Sequence, residues 1–506
     1  MKIYLRSLLR TCFLALLLAL LLSSFFNKPI LLTDAAAQSS IPNSVEQAIK
    51  RSGIPKESIS IAVTEIPSTT NPMPAARTIM NWRDDIAMNP ASTIKLLTTL
   101  VALDILGPKY RWKTELFTDG AIKKGILKGN IYFVGQGDPK WIPEELSELT
   151  KKLRNLGIQQ INGNLIFDRG AYTKQVMEDT TIDGETLRAY NVSPDPLLYA
   201  FRTLSFEINL NKNSDIANIV YTPKLARFKI DNQLKVISSP CNNPKNNIRF
   251  EIIPNPNEIN TSQLNNKSAI QWRAVFTGEI SRYCKNLSFN VVKFDPDTFL
   301  TLGFTAAWEE AGGKWSRPPN GQAGSVPIYA RPLLSYEGLT LLDASQDINK
   351  LSNNVMARQV FLTLGLEKMG KPTDITSSEK VIHAWLNQRG LQFPELIIEN
   401  GSGLSRNEAI SARNLNKLLI SGQELPISDV FLSTLPLVGS EGTVRHRLIN
   451  QMRNFLHLKK KPEARIKTGS LDNVRSISGY VFSKSGRIYA VTSFINDPKA
   501  NRGQEI

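Results

Sequence analysis

The pattern of apolar and polar positions predicts an α/β arrangement at both ends of this 506-residue chain. Near the N terminus, the helical pattern PNSVEQAIKRSG is followed by two strand patterns, SISIAVTEI and ARTIMNWRD. Near the C terminus, EARIKTGS, SISGYVFSK and GRIYAVTSFIN predict three more strands. Ser485 and Gly486, between the last two, indicate the turn of an antiparallel hairpin. LTLLDASQDINKL and NVMARQVFLTLGLEKMG predict two helices on either side of a short Ser-Asn-Asn sequence.

One predicted helix has almost no polar face. The segment NPASTIKLLTTLVALDILGP, residues 89–108, is apolar nearly all round and should be buried on most sides. Gly107 and Pro108 predict the C-terminal end of this helix. Its start carries Ser92 and, three positions further on, Lys95, which lie on one helical face. This pair is either an ordinary helix start or a nucleophile with its base.

Residues 116–328 predict mostly β structure. The segments GILKGNIYFVGQGDP and INGNLIFDRGAY are short apolar runs bounded by Gly, Asn and Asp. Residues 191–273 are rich in Asn, Pro and Ser and contain the strand patterns ANIVYTP, QLKVISS and IRFEIIP. We interpret this part as a small insertion or subdomain.

The first 37 residues have the pattern of a secretory signal. Basic residues precede the apolar run FLALLLALLLSSFF, and Ala35 and Ala37 form an A-x-A cleavage site. The run is shorter than the about 20 residues of a transmembrane helix, and an uncleaved anchor is the alternative. We therefore expect export to the periplasm or the cell-wall side of the membrane. Cleavage removes four of 61 basic and one of 45 acidic residues, so the mature chain has a net charge of +13.

Charge and reactive residues restrict the choice of partners. A basic exported chain suits an anionic wall or membrane surface, and a diffuse charge without a partner is the alternative. No Lys/Arg block is interleaved with aromatics, which argues against nucleic acid. His383, His446 and His457 show no metal-ligand spacing, so neither a metal nor a cofactor is expected. Cys241 and Cys284, the cysteines of the mature chain, predict a disulfide, with two separate thiols as the alternative.

Two further motifs accompany the serine–lysine pair: Ser-Asn-Asn at 352–354 between two predicted helices, and Lys-Thr-Gly at 467–469 on a predicted edge strand. The first two motifs are weak alone, because the S-x-x-K spacing recurs at 377–380 and S-x-N recurs at 288–290 and 405–407. The cation and hydroxyl of the third suit a carboxylate, and its glycine permits close approach of a ligand. In the order S-x-x-K, S-x-N, K-T-G, they form the motif set of penicillin-binding proteins and serine β-lactamases.

The mature chain resembles the low-molecular-mass penicillin-binding proteins of the D-alanyl-D-alanine carboxypeptidase/endopeptidase type, which have a large insertion between the first two motifs. Here 260 positions separate Ser92 from Ser352, and GILKGNIYFVGQGDP, NGSGLSRNEAIS and LPLVGSEGTVRHRL are similar to stretches of that family. The resemblance implies an α/β fold, with a serine β-lactamase/transpeptidase-like domain formed by both chain ends and mostly-β inserted domains. The implied domains are 38–115 with 329–506, an inserted 116–190 with 274–328, and a nested 191–273.

The resemblance also implies an activity and the residues that carry it. The implied enzyme is a serine DD-peptidase that acts on peptidoglycan stem peptides ending in D-Ala-D-Ala, or on their cross-linked form, with β-lactam antibiotics as covalent inhibitors. Ser92 would attack the penultimate D-Ala carbonyl, and Lys95 would be the general base. Ser352 would relay a proton to the leaving amine.

The remaining motif residues are assigned to substrate binding by the same resemblance. Asn354 would hold the substrate amide. Lys467 and Thr468, followed by Gly469, would bind the terminal carboxylate. The backbone N–H of Ser470, together with that of Ser92, would form the oxyanion hole.

Some positions depart from the family. Asn400 stands where the family has Asp, and TTIDGETLRAYNVSP replaces a Trp-rich stretch, with Asp183 and Glu185 as the candidates for its substrate-binding role. Relatives continue beyond the last strand into a helix that packs on the sheet, whereas only DPKANRGQEI comes after GRIYAVTSFIN here. One sheet face is therefore expected to lack cover.

Three alternative functions compete with a DD-peptidase. A β-lactamase of this fold needs a dedicated water-activating carboxylate, and none is identified. A catalytically weak peptidoglycan-binding protein fits the altered second domain, although the three motifs are intact. A Ser-His-Asp hydrolase would use His446, but no G-x-S-x-G elbow is present. The balance between carboxypeptidase and endopeptidase action and the oligomeric state stay open.

Overall fold

The computed structural model describes residues 41–68, 72–178, 189–211, 213–255, 266–446 and 462–505. The predicted signal sequence, Asp183, Glu185 and His457 lie outside these ranges. In the described part of the chain, no helix has the length and apolar character needed to cross a membrane. The chain divides into two compact units, the first from 1–101, 380–399 and 406–506, and the second from 102–379 and 400–405.

The strands of the described residues are numbered here in chain order. They are β1 Ile59–Ile66, β2 Arg77–Trp82, β3 Ala87–Met88, β4 Arg111–Thr118, β5 Ala121–Lys123, β6 Ile126–Lys128, β7 Ile131–Gly135, β8 Gln160–Ile161, β9 Leu165–Asp168, β10 Leu204–Asn209, β11 Asn218–Thr222, β12 Phe228–Ile237, β13 Ile248–Pro254, β14 Trp272–Ser281, β15 Leu287–Val291, β16 Lys314–Trp315, β17 Gly321–Ala323, β18 Arg331–Thr340, β19 Ile410–Ser411, β20 Glu463–Leu471, β21 Val474–Phe482 and β22 Ile488–Asn496. The terminal strands predicted from the sequence correspond to β1, β2 and β20 to β22.

The α-helices follow the same convention. They are α1 Asn43–Ser52, α2 Lys95–Leu106, α3 Pro143–Asn155, α4 Lys174–Met177, α5 Pro296–Glu310, α6 Leu341–Leu351, α7 Asn354–Met369, α8 Ile375–Gln388, α9 Ala412–Glu424 and α10 Ser428–Thr434. Short 3-10 helices include Ala91–Ile94, directly before α2, and Gly442–Val444.

The first unit is built on a five-stranded antiparallel sheet in the order β2-β1-β22-β21-β20. The strand pair β21–β22 is the hairpin predicted from Ser485 and Gly486. Helix α9 packs on this sheet, where Asn416 donates to the carbonyl of Ala490 at 3.2 Å and accepts from Thr492 at 2.7 Å. Strand β20 is an edge strand, as predicted, so one of its sides is open to a partner other than a sheet neighbour.

Helix α2 is buried on most sides because its side chains are largely apolar. Leu96, Leu97, Leu100 and Leu103 are 0% exposed. The helix ends where predicted, since Gly107 adopts a positive φ of 82° and its N–H donates to the carbonyl of Leu103. A helix without a polar face is fixed by its surroundings, which makes its first turn a rigid support for side chains.

The second unit is β-rich but also contains two long helices that were not predicted from the sequence. Its larger sheet has the order β17-β9-β7-β4-β18, and smaller sheets have the orders β16-β8-β6-β5, β12-β14-β13 and β11-β10-β15. Helix α5 buries Phe299, Phe304 and Trp308 on several sides, so its sequence lacks the one-sided periodicity of a surface helix. The sequence of helix α3 does have a helical pattern, with Pro143 at its start and leucines at 146, 149 and 153 that are buried in the structure.

Strand pairing continues beyond the limit predicted for the nested domain. β14 starts at Trp272, pairs with β12 in parallel and with β13 in antiparallel fashion, and β15 pairs with β10. Cys241 and Cys284 come after the parallel neighbours β12 and β14, and their sulfur atoms form a disulfide. The domain boundaries themselves stay a prediction.

Candidate active site

The turn that precedes Ser92 is held in a conformation that is unusual for a non-glycine residue. Ala91 has a φ of 43°. The carbonyl of Pro90 accepts a 2.6 Å hydrogen bond from the hydroxyl of Ser476, and the amide of Ala91 donates to the side chain of Asn89 at 2.9 Å. The N–H of Asn89 in turn donates to Asn496 at 2.8 Å. Left-handed non-glycine backbone is costly and persists where its surroundings impose it, often at functional sites.

The serine–lysine pair lies directly after this turn. Ser92 belongs to the 3-10 helix Ala91–Ile94, and Lys95 is the first residue of α2. The Nζ of Lys95 lies 2.8 Å from the Oγ of Ser92, and Lys95 is 0% exposed. At this distance the amine can take the proton of the hydroxyl directly.

Electrostatics favour the neutral form of Lys95. Burial lowers the pKa of Lys95 well below its ordinary value, and the positive charge of Lys467 lowers it further, while the carboxylate of Glu408 acts in the opposite direction. A lysine that loses its proton near neutral pH is able to act as a base. The arrangement is therefore suited to activate the Ser92 hydroxyl as a nucleophile, as the sequence predicts.

The Lys-Thr-Gly motif lies on the edge strand β20. Lys467 is 0% exposed, and its Nζ donates to the carbonyl of Thr468 at 2.7 Å. Burial lowers the pKa of Lys467 to about 7. Burial thus lowers the pKa of both lysines, and the charge of Lys467 acts on Lys95 as well.

Gly469 allows the edge strand to approach the turn formed by residues 89–92, which is called the nucleophile turn from here on. A Cβ built on Gly469 would overlap the Oγ of Ser476 and would lie 2.8 Å from the carbonyl of Pro90 and 2.9 Å from the N of Ser92. Two of these three atoms belong to the backbone beside the nucleophile and cannot rotate away. The predicted residues Ser92, Lys95 and Lys467 to Gly469 therefore come together within the first unit.

The Ser-Asn-Asn motif belongs to the second unit. Ser352 ends α6 with a φ of 60°, and the side chain of Asn353 accepts from the N–H of Met356 at the start of α7. Ser352 and Asn354 line a cavity of about 510 Å³, together with the aromatic side chains of Tyr190 and Phe201. The motif thus forms part of the wall of a cavity, and the roles of Ser352 in catalysis and of Asn354 in substrate binding stay predictions.

Two other residues singled out in the sequence make hydrogen bonds within their own loop or helix start. Asn400 organises its own loop, because its Oδ1 accepts from the N–H and hydroxyl of Ser402 and its Nδ2 donates to Leu404. Ser377, the serine of the second S-x-x-K sequence, lies in the first turn of α8, where its N–H donates to the capping carboxylate of Asp374 at 2.8 Å. Across the described ranges no group of three or more His, Cys, Asp or Glu side chains is arranged to hold a metal ion.

Several residues of the site were not predicted from the sequence. Asn89, Ser476 and Asn496 fix the nucleophile turn, and Glu408 acts on the charge of Lys95. Asn89 and Asn496 are 407 positions apart in sequence, and nothing in a single sequence indicates that they meet. The change from a β pattern to Asn-Pro just before Ser92 was the one available signal of a special turn.

The site contains a serine hydroxyl hydrogen-bonded to a buried lysine, beside an edge strand that carries a second buried lysine. This arrangement is the one expected of a hydrolase of the active-serine type. Residues 43–506 match the model of the D-Ala-D-Ala carboxypeptidase 3 (S13) family. The chain belongs to this family and is a serine-type D-Ala-D-Ala carboxypeptidase. The predicted relationship to the low-molecular-mass penicillin-binding proteins is thereby confirmed.

Individual relatives cover most of the chain. It is 24% identical over 424 residues to the D-alanyl-D-alanine carboxypeptidase DacB of Haemophilus influenzae, across 83% of this chain and 82% of that protein. It is 24% identical over 409 residues to the D-alanyl-D-alanine carboxypeptidase of Actinomadura sp. strain R39, across 79% of this chain and 72% of that one. The crystal structure of penicillin binding protein 4 from H. influenzae matches with a TM-score of 0.68 at 21% identity, over 92% of this chain and 98% of that chain. The predicted fold class is confirmed by this similarity.

Proposed function

We propose that the chain is an exported DD-peptidase that cleaves the terminal D-Ala-D-Ala bond of peptidoglycan stem peptides through an acyl intermediate on Ser92. The observation that carries this proposal is the 2.8 Å contact between the hydroxyl of Ser92 and the amine of the fully buried Lys95. Export to the periplasm or the cell-wall side of the membrane belongs to the proposal, because residues 1–37 have the sequence pattern of a secretory signal.

In acylation, the neutral amine of Lys95 takes the proton of Ser92 while Oγ forms a bond to the carbonyl carbon of the penultimate D-Ala. The carbonyl oxygen becomes an oxyanion, which the N–H groups of Ser92 and Ser470 stabilise. The C–N bond then breaks, and Ser352 relays a proton to the amine of the departing D-Ala. Water attacks the acyl-serine in the second half of the reaction and regenerates the free hydroxyl.

Substrate recognition is assigned to the other two motifs. Lys467, in its charged form, and the hydroxyl of Thr468 bind the terminal carboxylate, since charge-assisted hydrogen bonds are the strong ones. Asn354 holds the amide of the peptide. Cleavage of D-Ala cross-links uses the same steps, because the two reactions differ only in the group that leaves when the scissile bond breaks.

β-Lactams are proposed as covalent inhibitors that acylate Ser92. Penicillin binding protein 4 of H. influenzae has been crystallised in complex with a novel β-lactam, and a relative from Dictyostelium discoideum, 23% identical over 419 residues, is a penicillin-sensitive carboxypeptidase. The proposed domain assignment keeps residues 38–115 and 329–506 as the penicillin-binding domain, with 116–190 plus 274–328 and 191–273 as the insertions.

One experiment tests the activity and the nucleophile together. Residues 38–506 are incubated with a D-Ala-D-Ala muropeptide, with a cross-linked muropeptide and with fluorescent penicillin, and the products are read by mass. We expect release of free D-Ala and a single penicilloyl adduct in the peptide that contains Ser92, both lost in Ser92→Ala. An adduct on Ser377, or labelling that survives Ser92→Ala, overturns the assignment. Rapid turnover of penicillin without release of D-Ala would instead identify a β-lactamase.

A further inference from the structure

A loop of the first unit, residues 436–445, covers part of the edge strand β20. The N–H of Val438 donates to the carbonyl of Ala464 at 2.9 Å, and the N–H of Ile466 donates to the carbonyl of Pro436 at 3.1 Å. Between these two hydrogen bonds, Leu437 pairs with Arg465 in an antiparallel β-bridge. The paired residues of β20 thus lie immediately before Lys467. The loop therefore ends its pairing where the Lys-Thr-Gly motif begins.

The same loop is held rigidly by its own contacts. Val444 is 1% exposed and packs in one apolar cluster with Val438 and Ile466 of β20. The carboxylate of Glu441 accepts a 3.0 Å hydrogen bond from the N–H of Leu437. Position 443 is thereby fixed relative to the strand by neighbours on both sides.

The side chain of Thr443 reaches across to the motif. Its Oγ1 lies 2.9 Å from the Oγ1 of Thr468, although Thr443 is an exposed residue. A hydroxyl has one proton to donate and two lone pairs to accept with. In this pair, therefore, one hydroxyl donates and the other accepts.

We propose that Thr443 is a positioning residue for carboxylate recognition: it donates its hydroxyl proton to Thr468 and so directs the proton of Thr468 towards the substrate carboxylate. This inference rests on the proposed function of the Lys-Thr-Gly motif. A carboxylate is an acceptor only, so the Thr468 hydroxyl must donate to bind it. The donor from Thr443 occupies a lone pair of the Thr468 oxygen and removes competing orientations of that hydroxyl before the substrate arrives.

Lys467 and Thr468 contribute differently to recognition of the carboxylate. Its Nζ donates to the carbonyl of Thr468 at 2.7 Å, so the lysine places positive charge beside the strand from a buried position. The Thr468 hydroxyl orients the carboxylate that this charge attracts, because the energy of a hydrogen bond depends on its angle whereas that of a charge pair depends mainly on distance. Thr443 acts through Thr468 and sets that direction.

The test is a double-mutant cycle on kcat/KM for an acyl-D-Ala-D-Ala peptide. Thr443→Val is nearly isosteric and removes the hydroxyl, whereas Thr443→Ser keeps it. We expect Thr443→Val to lower kcat/KM about tenfold, chiefly through KM, because a hydrogen bond to a charged ligand is weakened. Thr443→Ser should restore most of the loss. In a Thr468→Val background, Thr443→Val should have almost no further effect, since the group that it orients is gone.

Controls separate this role from a general effect on the loop. Ser440→Ala, in the same exposed loop, should leave kcat/KM unchanged, and the melting temperature of each variant reports on folding. Thr443→Ala repeats the comparison with a smaller side chain. Equal losses from Thr443→Val in the parent and the Thr468→Val background, or no rescue by serine, overturn the positioning role while the parent enzyme still releases D-Ala. Absence of D-Ala release by the parent would overturn the proposed function, and this inference with it.

Discussion

The nucleophile turn of the first unit and the nested β region of the second unit differ in the groups that they bury. The turn contains a left-handed alanine and leads into the buried amine of Lys95, and each of these features costs stability. The region from β10 to β15 is organised around phenylalanine rings, with Phe206 and Phe276 at 5.2 Å and Phe250 stacked on Phe276 at 5.5 Å, and it has a disulfide. Costly burial of an amine thus occurs beside the proposed nucleophile, whereas the nested region buries aromatic rings, whose removal from water is favourable.

The largest effect is expected at the base of the nucleophile. Lys95→Ala should reduce acylation by penicillin about 10²- to 10⁴-fold, because it removes the amine that is hydrogen-bonded to Ser92. Ser92→Ala should abolish the adduct, and the Ser92→Ala/Lys95→Ala double variant should be no worse than Ser92→Ala alone, since both residues act as one unit. Stopped-flow acylation and intact-mass measurements check this. A rate within about tenfold of the parent would show that another group is the main base.

The next effect concerns the close approach of β20 to the turn. Gly469→Ala inserts a Cβ 2.8 Å from the carbonyl of Pro90 and 2.9 Å from the N of Ser92, so strand and turn must separate. We expect kcat/KM to fall about 100-fold, because a displacement of about 1 Å near reacting atoms has that consequence. Circular dichroism and melting curves check that the variant is folded.

The matched control for this substitution is Gly170→Ala in the second unit. A Cβ at Gly170 would meet only the side-chain Oδ1 of Asp168, at 3.1 Å, and that atom belongs to a side chain rather than to fixed backbone. We therefore expect kcat/KM of this control to stay close to that of the parent. Equal activity of the two glycine variants would show that the close contact at position 469 is dispensable.

A smaller, pH-dependent effect distinguishes the two buried lysines. Since the pKa of Lys467 is about 7, its ammonium is present below that pH and is lost as the pH rises through it. The value of kcat/KM for a carboxylate substrate should therefore fall above pH 7, by about tenfold per unit once the group is mostly neutral. Lys467→Arg should flatten this limb, because arginine keeps its charge. A level profile up to about pH 9 in the parent would contradict the role of Lys467 as a cation.

The smallest effect on chemistry is expected from the nested region. The disulfide closes a loop between residues 43 positions apart, and its loss in the Cys241→Ser/Cys284→Ser variant should lower the free energy of unfolding by about 4 kcal/mol in the chain-entropy model. Penicillin acylation of the folded variant should stay unchanged. Denaturant unfolding and acylation kinetics measure the two quantities separately. A parallel loss of acylation would mean that this region contributes to the active site.

The sequence predicted the parts of the fold that are periodic and the parts of the site that are contiguous. The strands β1, β2 and β20 to β22, the burial of α2 and the S-x-x-K and K-T-G motifs all follow from local patterns. Helix α5 was not predicted, because burial on several sides removes the polar face that identifies a helix. The predicted helix around Ser92 begins instead as a 3-10 turn, with α2 starting only at Lys95.

The supporting contacts of the site could not be predicted from local patterns. The hydroxyl of Ser476 on β21 donates to the carbonyl of Pro90, which lies 386 positions earlier in the sequence and outside the strands. Thr443 is in an exposed loop of ordinary composition, where its hydroxyl would be expected to face water. Such contacts depend on the folded arrangement of distant segments, which a single sequence does not specify.

The close contact at Gly469 also restricts how the enzyme can evolve. Substrate and β-lactam are both proposed to dock along the same stretch of β20, and any side chain larger than hydrogen at position 469 meets the backbone beside Ser92. Drug resistance through substitution at this position would therefore damage the reaction on the natural substrate as well. Adaptive change is more accessible at exposed positions of the loop 436–445 other than Thr443, such as Ser440, and resistant variants should be sought there first.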